Sequence, residues 1–279
     1  MPDSSLTRRQ RFVAHISISR SQIRAQTAYR GDFLFGLIAL LLHVYLLGVV
    51  WTAVFPTSGA ASASGGRQIA ISTQITYATF AAIQYWLLNS GRVSLVSDRV
   101  RDGTVAVDLA RPIKFPAQVI SAQVGTTLAA APFLIIAVPY AILFGGVRAP
   151  TSVENGVGYV LSLILSCLIT LLMSSIVSMT AFWTLEVSGI FVIYQMISQF
   201  MSGALVPLWF MPGWLARIAE LLPFQATTYT PVIIYLGQAG GRRQVLTLIG
   251  VQCVWALIIW TLLQLVWSRA LRRVVVQGG

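Results

Sequence analysis

The chain has 279 residues, 56% of them hydrophobic and only 10% charged, with a mean hydropathy of +0.77. A soluble domain carries about 25% charged residues, so the charges here are too few to coat a water-facing surface, and lipid must solvate much of the chain. Nineteen basic against 8 acidic residues give a net charge of +11. The basic residues flank apolar stretches and do not form a domain of their own, which excludes nucleic acid as a partner and fits the cytoplasmic loops of a membrane protein.

Residues 6–32 place Phe12, Ile16 and Ile23 at helical spacing with arginines between them. That pattern predicts an amphipathic helix lying in the cytoplasmic membrane interface, in contact with lipid. A hydrocarbon core about 30 Å thick takes roughly 20 apolar residues to cross. The apolar stretches predict crossings at 33–54, 69–90, 119–144, 157–182, 188–210 and 245–267, with a tight turn at Thr184-Leu185-Glu186-Val187-Ser188-Gly189 between the fourth and fifth. The basic lead before residue 33 and the apolar run after it are both too long for a cleaved signal peptide. Residues 60–66 read as a short outer loop of small residues.

Charge flanks orient the crossings. The segments before residue 33, between 90 and 118, and after 268 hold 14 of the 19 basic residues; Arg67, Arg148, Arg217, Arg242 and Arg243 fall on the other side. The excess predicts both termini in the cytoplasm, which takes an even number of crossings. The expected fold is therefore an all-α membrane protein, one transmembrane domain over 1–279 with six spans.

Between the fifth and sixth spans, residues 207–237 are apolar but interrupted by Pro207, Pro212, Pro223 and Pro231. No piece is long enough to cross, so the stretch predicts short helices that dip into the outer leaflet and return. Pro207, Pro212, Pro223 and Phe224 are candidates for an outer gate, and Arg217 and Glu220 are spaced to pair on its wet face. The loop after the second span carries Arg92, Arg99, Arg101, Asp102 and Arg111. Val93, Val96 and Val100 form an apolar stripe within it, and Gly103 stands as a helix stop.

The missing chemistry is also informative. A phosphate-binding loop needs a lysine in a glycine frame, and the single lysine, Lys114, has none. The chain alone therefore has no means to hydrolyse ATP. His15 and His43 lie on different segments, and no HExxH or GxSxG occurs, which argues against an intramembrane enzyme. Cys167 and Cys253 lie in apolar stretches without a CxxC partner, so they read as packing residues and no metal site is expected. An ion-gradient-driven secondary transporter is the stronger rival, but no carboxylate falls mid-span to bind a driving ion.

In order, these features resemble the ABC-type-2 transporter permease family. The resemblance rests on Tyr29-Arg30-Gly31-Asp32-Phe33 before the first span, and on Asp102-Gly103-Thr104 followed by Leu109-Ala110-Arg111-Pro112. It rests also on Ser202-Gly203-Ala204-Leu205-Val206-Pro207, Leu222-Pro223-Phe224 and the tail Arg269-Ala270-Leu271-Arg272-Arg273. It implies a permease of a bacterial plasma-membrane exporter, paired with a second copy or a related permease and docked on cytoplasmic ABC ATPase subunits. ATP and Mg would then bind the ATPase, leaving this chain without a cofactor. It implies further that the loop of Arg92, Arg99, Arg101, Asp102, Gly103 and Arg111 couples ATP hydrolysis to transport. Spans one, two and five would line the path, making Tyr45, Tyr77, Gln84, Tyr85, Gln195 and Gln199 candidate lining residues.

Overall fold

The computed structural model describes residues 7–28, 30–55, 60–62, 68–89, 95–184 and 187–277. Tyr29, Arg67, Arg92, Val93, Leu185 and Glu186, on which several expectations fall, lie outside the described residues, as do Gly278 and Gly279.

The helices, in chain order, are α1 (Arg8–Ala28), α2 (Arg30–Val54), α3 (Ile71–Asn89), α4 (Leu95–Arg101), α5 (Val105–Ala110), α6 (Phe115–Ala130) and α7 (Leu134–Phe144). There follow α8 (Val153–Met179), α9 (Ser188–Met201), α10 (Gly213–Leu221), α11 (Tyr229–Tyr235) and α12 (Arg242–Gln277). A two-stranded antiparallel ladder, β1 (Ala60–Ser62) with β2 (Gln68–Ala70), lies in the loop between α2 and α3. The molecule is an all-α membrane protein in its bulk.

Among the described residues, four stretches are long and apolar enough to cross a bilayer: Leu34–Val54, Phe115–Phe144, Val153–Phe182 and Arg242–Arg273. The third expected crossing starts earlier than 119 and is broken at Ala131–Phe133, where Pro132 cannot donate to the helix ladder. The stretch expected to cross over 188–210 is helical only for Ser188–Met201. It stops because Gly203 takes φ +78 and Pro207 follows, and the helix is about 21 Å long. α3 has 19 residues and a length of about 28 Å. Its hydropathy is low because Gln74, Thr76, Thr79 and Gln84 are buried inside the bundle, away from lipid.

Contacts fix the direction of each helix. Phe115 meets Phe182 at 5.8 Å between ring centroids, and Ser174 donates to Gln123 at 3.0 Å, so α6 and α8 are antiparallel. Gly158 lies against Val245, Ser162 against Gln252 and Phe182 near Trp267, so α8 and α12 run the same way. Thr79 donates to the Gly145 carbonyl while Trp86 and Leu87 pack on Ala129 and Ala130, so α3 opposes α6 and α7. α9 begins where Val187 joins the cluster of Phe115 and Phe182 and ends beside Tyr77. α2, α6 with α7, and α9 thus run one way, and α3, α8 and α12 the other.

What lets α8 sit at the centre is a ridge of small hydroxyls. Ser162, Ser166, Thr170, Ser174 and Ser178 follow at every fourth position and all are buried. Ser166, Thr170 and Ser178 each donate to the carbonyl four residues back at 2.8 Å. A ridge of short side chains with satisfied hydroxyls lets neighbouring helices approach closely in lipid.

α1 is docked on α6 for two turns. His15 meets the Ser121 hydroxyl at 2.7 Å, and Ser19 donates to the Ser121 carbonyl at 2.6 Å. Gly125 comes so close to α1 that a Cβ there would stand 2.5 Å from the Ser19 carbonyl oxygen. Ile23 packs on Ala129 and Ala130, while Phe12, Val13 and Ile16, in the first half of α1, are exposed.

Candidate functional site

Two features stand out: an exposed elbow at one end of the bundle and a cleft within it. The elbow is α4 and α5 joined by Asp102-Gly103-Thr104. The α4 ladder closes with Asp102 donating to the Asp98 carbonyl at 2.8 Å, and Gly103 turns the chain with φ +69, a conformation that costs a residue with a Cβ about 1–2 kcal/mol. Val96 and Val105 are buried beneath it, in one cluster with Phe115, Met179, Phe182, Leu263 and Ala270. Val100 packs against the same cluster, so Val96 and Val100 of the expected stripe face inward. Arg101, Asp102, Gly103 and Thr104 are exposed at the tip.

The carboxylate that organises the elbow is Asp108, which is only 2% exposed. It forms ion pairs with Arg99 of α4 and with Arg111, the latter at 3.2 Å. Gln118 on α6 donates to the carbonyls of Asp108 and Ile113 at 2.8 and 2.9 Å. α4, α5 and the start of α6 are therefore stitched together. Arg99 and Arg111, two residues of the expected coupling loop, hold the elbow's own fold; Arg99 is half-buried and Arg111 exposed. Exposed Arg269, Arg272 and Arg273 flank buried Ala270, whose cluster lies under the elbow.

The cleft has a volume of about 450 Å³ and opens between α2, α3 and α9. Its polar and aromatic lining is His43, Tyr85, Trp86, Asn89, Gln195 and Gln199. Tyr85 donates to the Gln195 carbonyl at 3.2 Å, tying α3 to α9 across it. Asn89 donates to the Tyr85 carbonyl at 3.0 Å. Tyr85, Gln195 and Gln199 of the expected path are thus brought together. Tyr45, Tyr77 and Gln84 are not: Tyr45 is exposed on α2 outside the cleft, and the other two are buried.

Tyr77 and Gln84 serve the broken segment instead. Backbone that leaves a helix at depth needs partners, since lipid offers none. Tyr77 donates to the Gly203 carbonyl at 2.9 Å and Gln84 to the Thr227 carbonyl at 2.7 Å. Gln252 donates to the Ala226 carbonyl at 2.8 Å and accepts from Ser162 at 2.9 Å. Trp209 donates to Gln74 at 3.1 Å and meets Tyr77 edge to face, with centroids 4.6 Å apart. The segment is built of the turn Leu208–Phe210, α10, the turn Gln225–Thr227 and α11. Pro207 is buried, Pro212 exposed, and Pro223 and Phe224 half-buried, with the Phe224 ring 6.5 Å from that of Tyr194. Arg217 and Glu220 are both exposed and form no ion pair with each other; the Glu220 carbonyl accepts from Gln225 instead.

Residues 76–278 match the family model of ABC-2 family transporter proteins. The chain belongs to that family. No curated protein matches it. As an ABC-2 protein it is a multi-pass membrane component of a transport system and not itself the catalyst, and such permeases normally work with ATPase subunits. The ABC-2 match takes in the elbow, the α3 and α9 walls of the cleft and the broken segment, while α1 and α2 precede it. Sequence reasoning passed over Asp108 and Gln118, and weighed His43 only as a catalyst. The signal for Asp108 was its position three residues before Arg111 and nine after Arg99.

Proposed function

We propose that this ABC-2 protein is the permease subunit of an ATP-driven exporter in a bacterial plasma membrane, with its ATPase on a separate polypeptide. The observation that carries the reading is the elbow. A charged, exposed tip at Arg101–Thr104 stands on a buried scaffold that joins α6, α8 and α12, so a push on the tip reaches three long helices at once. In this reading α4 and α5 take up the motion of the ATPase and the bundle turns it into opening of the path.

Six membrane crossings with both termini in the cytoplasm support that geometry. The alternating directions of α2, α3, α6 with α7, α8, α9 and α12 favour six, with α3 and α9 counted as spans in spite of their length or polarity. α1 then lies at the cytoplasmic interface, and residues 207–237 form a re-entrant outer gate. Two such permeases, identical or related, assemble so that substrate passes by the walls of α2, α3 and α9. The test is ATP hydrolysis and ATPase binding measured on purified proteins. The chain alone is expected to hydrolyse no ATP; a permease-dependent, vanadate-sensitive activity is expected when the ATPase is bound. Arg101→Glu and Gly103→Val are expected to reach the membrane at normal level while losing that activity. Turnover by the isolated chain, or full coupling in both variants, would overturn the assignment.

A further inference from the structure

The cleft between α2, α3 and α9 carries side chains whose chemistry is unanswered within the protein. The amides of Gln195 and Gln199 stand one helical turn apart on α9 and line the cleft, as does the His43 ring on α2. None of these three side chains has a hydrogen-bonding partner among the described residues. Nearby polar groups behave differently: Tyr85, Asn89 and Gln84 each donate to a backbone carbonyl. Gln195 and Gln199 are half-buried and His43 is exposed, and at membrane depth, where lipid offers no hydrogen bond, an amide without a partner is destabilised by about 1–3 kcal/mol. Two such groups kept side by side in one cleft point to a partner that arrives from outside the chain.

The lining also limits what that partner is. Among the described residues that line the cleft there is no Asp, Glu, Lys or Arg. A charged ligand entering from water would lose hydration with no counter-charge to replace it, at a cost of several kcal/mol. Amides and an imidazole are instead both donors and acceptors, matched to hydroxyl, ether or carbonyl groups. The rest of the wall is apolar or aromatic. The Trp86 ring seats against Gly36, where a Cβ would stand 3.3 Å from Nε1, and Leu40, Ala82 and Ala204 complete the surface. About 450 Å³ lies within the range of pockets that take a drug-sized molecule, roughly 300–1,000 Å³.

We infer that this cleft binds an uncharged amphiphile, one with an apolar body and several hydroxyl, ether or carbonyl groups that meet Gln195, Gln199 and His43. The inference deepens the reading of the chain as a permease, by naming the class of cargo that reading leaves open. Binding itself is measured on the permease without its ATPase, so the two stand or fall separately.

The experiment uses the full chain in lipid nanodiscs, with Cys167 and Cys253 replaced by Ala. A Gln199→Cys variant places a thiol in the cleft, and its rate of modification by a small methanethiosulfonate reagent is followed. Three probes with the same octyl tail compete, each below its micelle concentration: octyl glucoside, octyltrimethylammonium and octyl sulfate. Octyl glucoside is expected to slow modification about tenfold or more where the two charged probes leave it unchanged. The same glucoside, radiolabelled, is expected to bind the Cys-free chain saturably. Gln195→Leu with Gln199→Leu is expected to weaken that binding about tenfold to a hundredfold while leaving the thermal midpoint within a few degrees. Equal protection by all three probes, stronger protection by either charged one, or unchanged binding in the double variant would overturn the inference. Loss of ATPase association with selective protection intact would refute the exporter reading alone.

Discussion

Gln252 of α12 donates to the Ala226 carbonyl at 2.8 Å, from a position with no exposure to solvent. The same amide accepts from Ser162 at 2.9 Å and reaches the Ser166 hydroxyl at 3.1 Å. One side chain therefore joins the last long helix, the central helix and the broken segment.

Gln252→Leu removes the shared partner and leaves the amide's acceptors and donors short. A loss of about 1–3 kcal/mol is expected, since each buried polar group left unmatched costs that order. The thermal midpoint of the purified chain should fall, and amide exchange at 225–228 should quicken. An unchanged midpoint would show that the network contributes no stability.

Gly203→Ala tests the turn that ends α9. The residue has φ +78, and a Cβ there would stand 2.7 Å from the Tyr77 hydroxyl and 2.8 Å from Leu208. The left-handed backbone alone costs an alanine about 1–2 kcal/mol. Gly189→Ala, where nothing stands within 4 Å, is the control and should be neutral or slightly stabilising. Equal behaviour of the two variants would contradict the tight seat beside Tyr77.

Asp108→Asn keeps the shape of the elbow and removes its charge. Arg99 and Arg111 are 32% and 47% exposed at their side chains, so both recover hydration and the loss stays at about 1–3 kcal/mol. Faster amide exchange through α4 and α5, with normal membrane levels, is the expected result. Exchanging the pair, Asp108→Arg with Arg99→Asp, should restore part of the protection. No change in exchange would mean that the buried valines hold the elbow without the carboxylate.

The topology is open to labelling in intact cells. With Cys167 and Cys253 replaced by Ala, a Pro150→Cys variant should react with a membrane-impermeant maleimide and a Thr104→Cys variant should not. Both positions are exposed, so access depends only on the side of the membrane. Reaction at 104 from outside would invert or recount the crossings.

Much of the helical pattern was legible because runs of apolar residues report directly on lipid contact. The presence of α2, α8 and α12 follows from that, although α12 runs on to Gln277, past the apolar run that ends near 267. What the apolar runs did not report is the interior. α9 was read too long because Leu205, Leu208 and Trp209 continue the hydrophobic run past the point where Gly203 turns the backbone. Tyr77 and Gln84 looked like lining residues because polarity inside a span marks either a path or a buried partner. Only the position of the Gly203 and Thr227 carbonyls decides between them. Asp108 was hidden for a similar reason, since its burial depends on Val96 of α4 and Val105 of α5 packing onto residues of α8 and α12.

The polar groups of α3 have a consequence for how the chain is made. Gln74 finds its donor in Trp209, 135 residues later, and Gln84 its acceptor at Thr227, 143 residues later. Gln252 is the opposite case, since Ser162, Ser166 and Ala226 are all synthesised before it. The last helix thus arrives to find its hydrogen bonds waiting, whereas α3 leaves the ribosome with α2 to pack on but none of its long-range hydrogen-bond partners yet in existence. Nascent chains that end before Gly203 should therefore hold α3 at the insertion machinery or lose it to proteolysis, and release of residues 203–229 should be the step that lets the first half of the molecule settle.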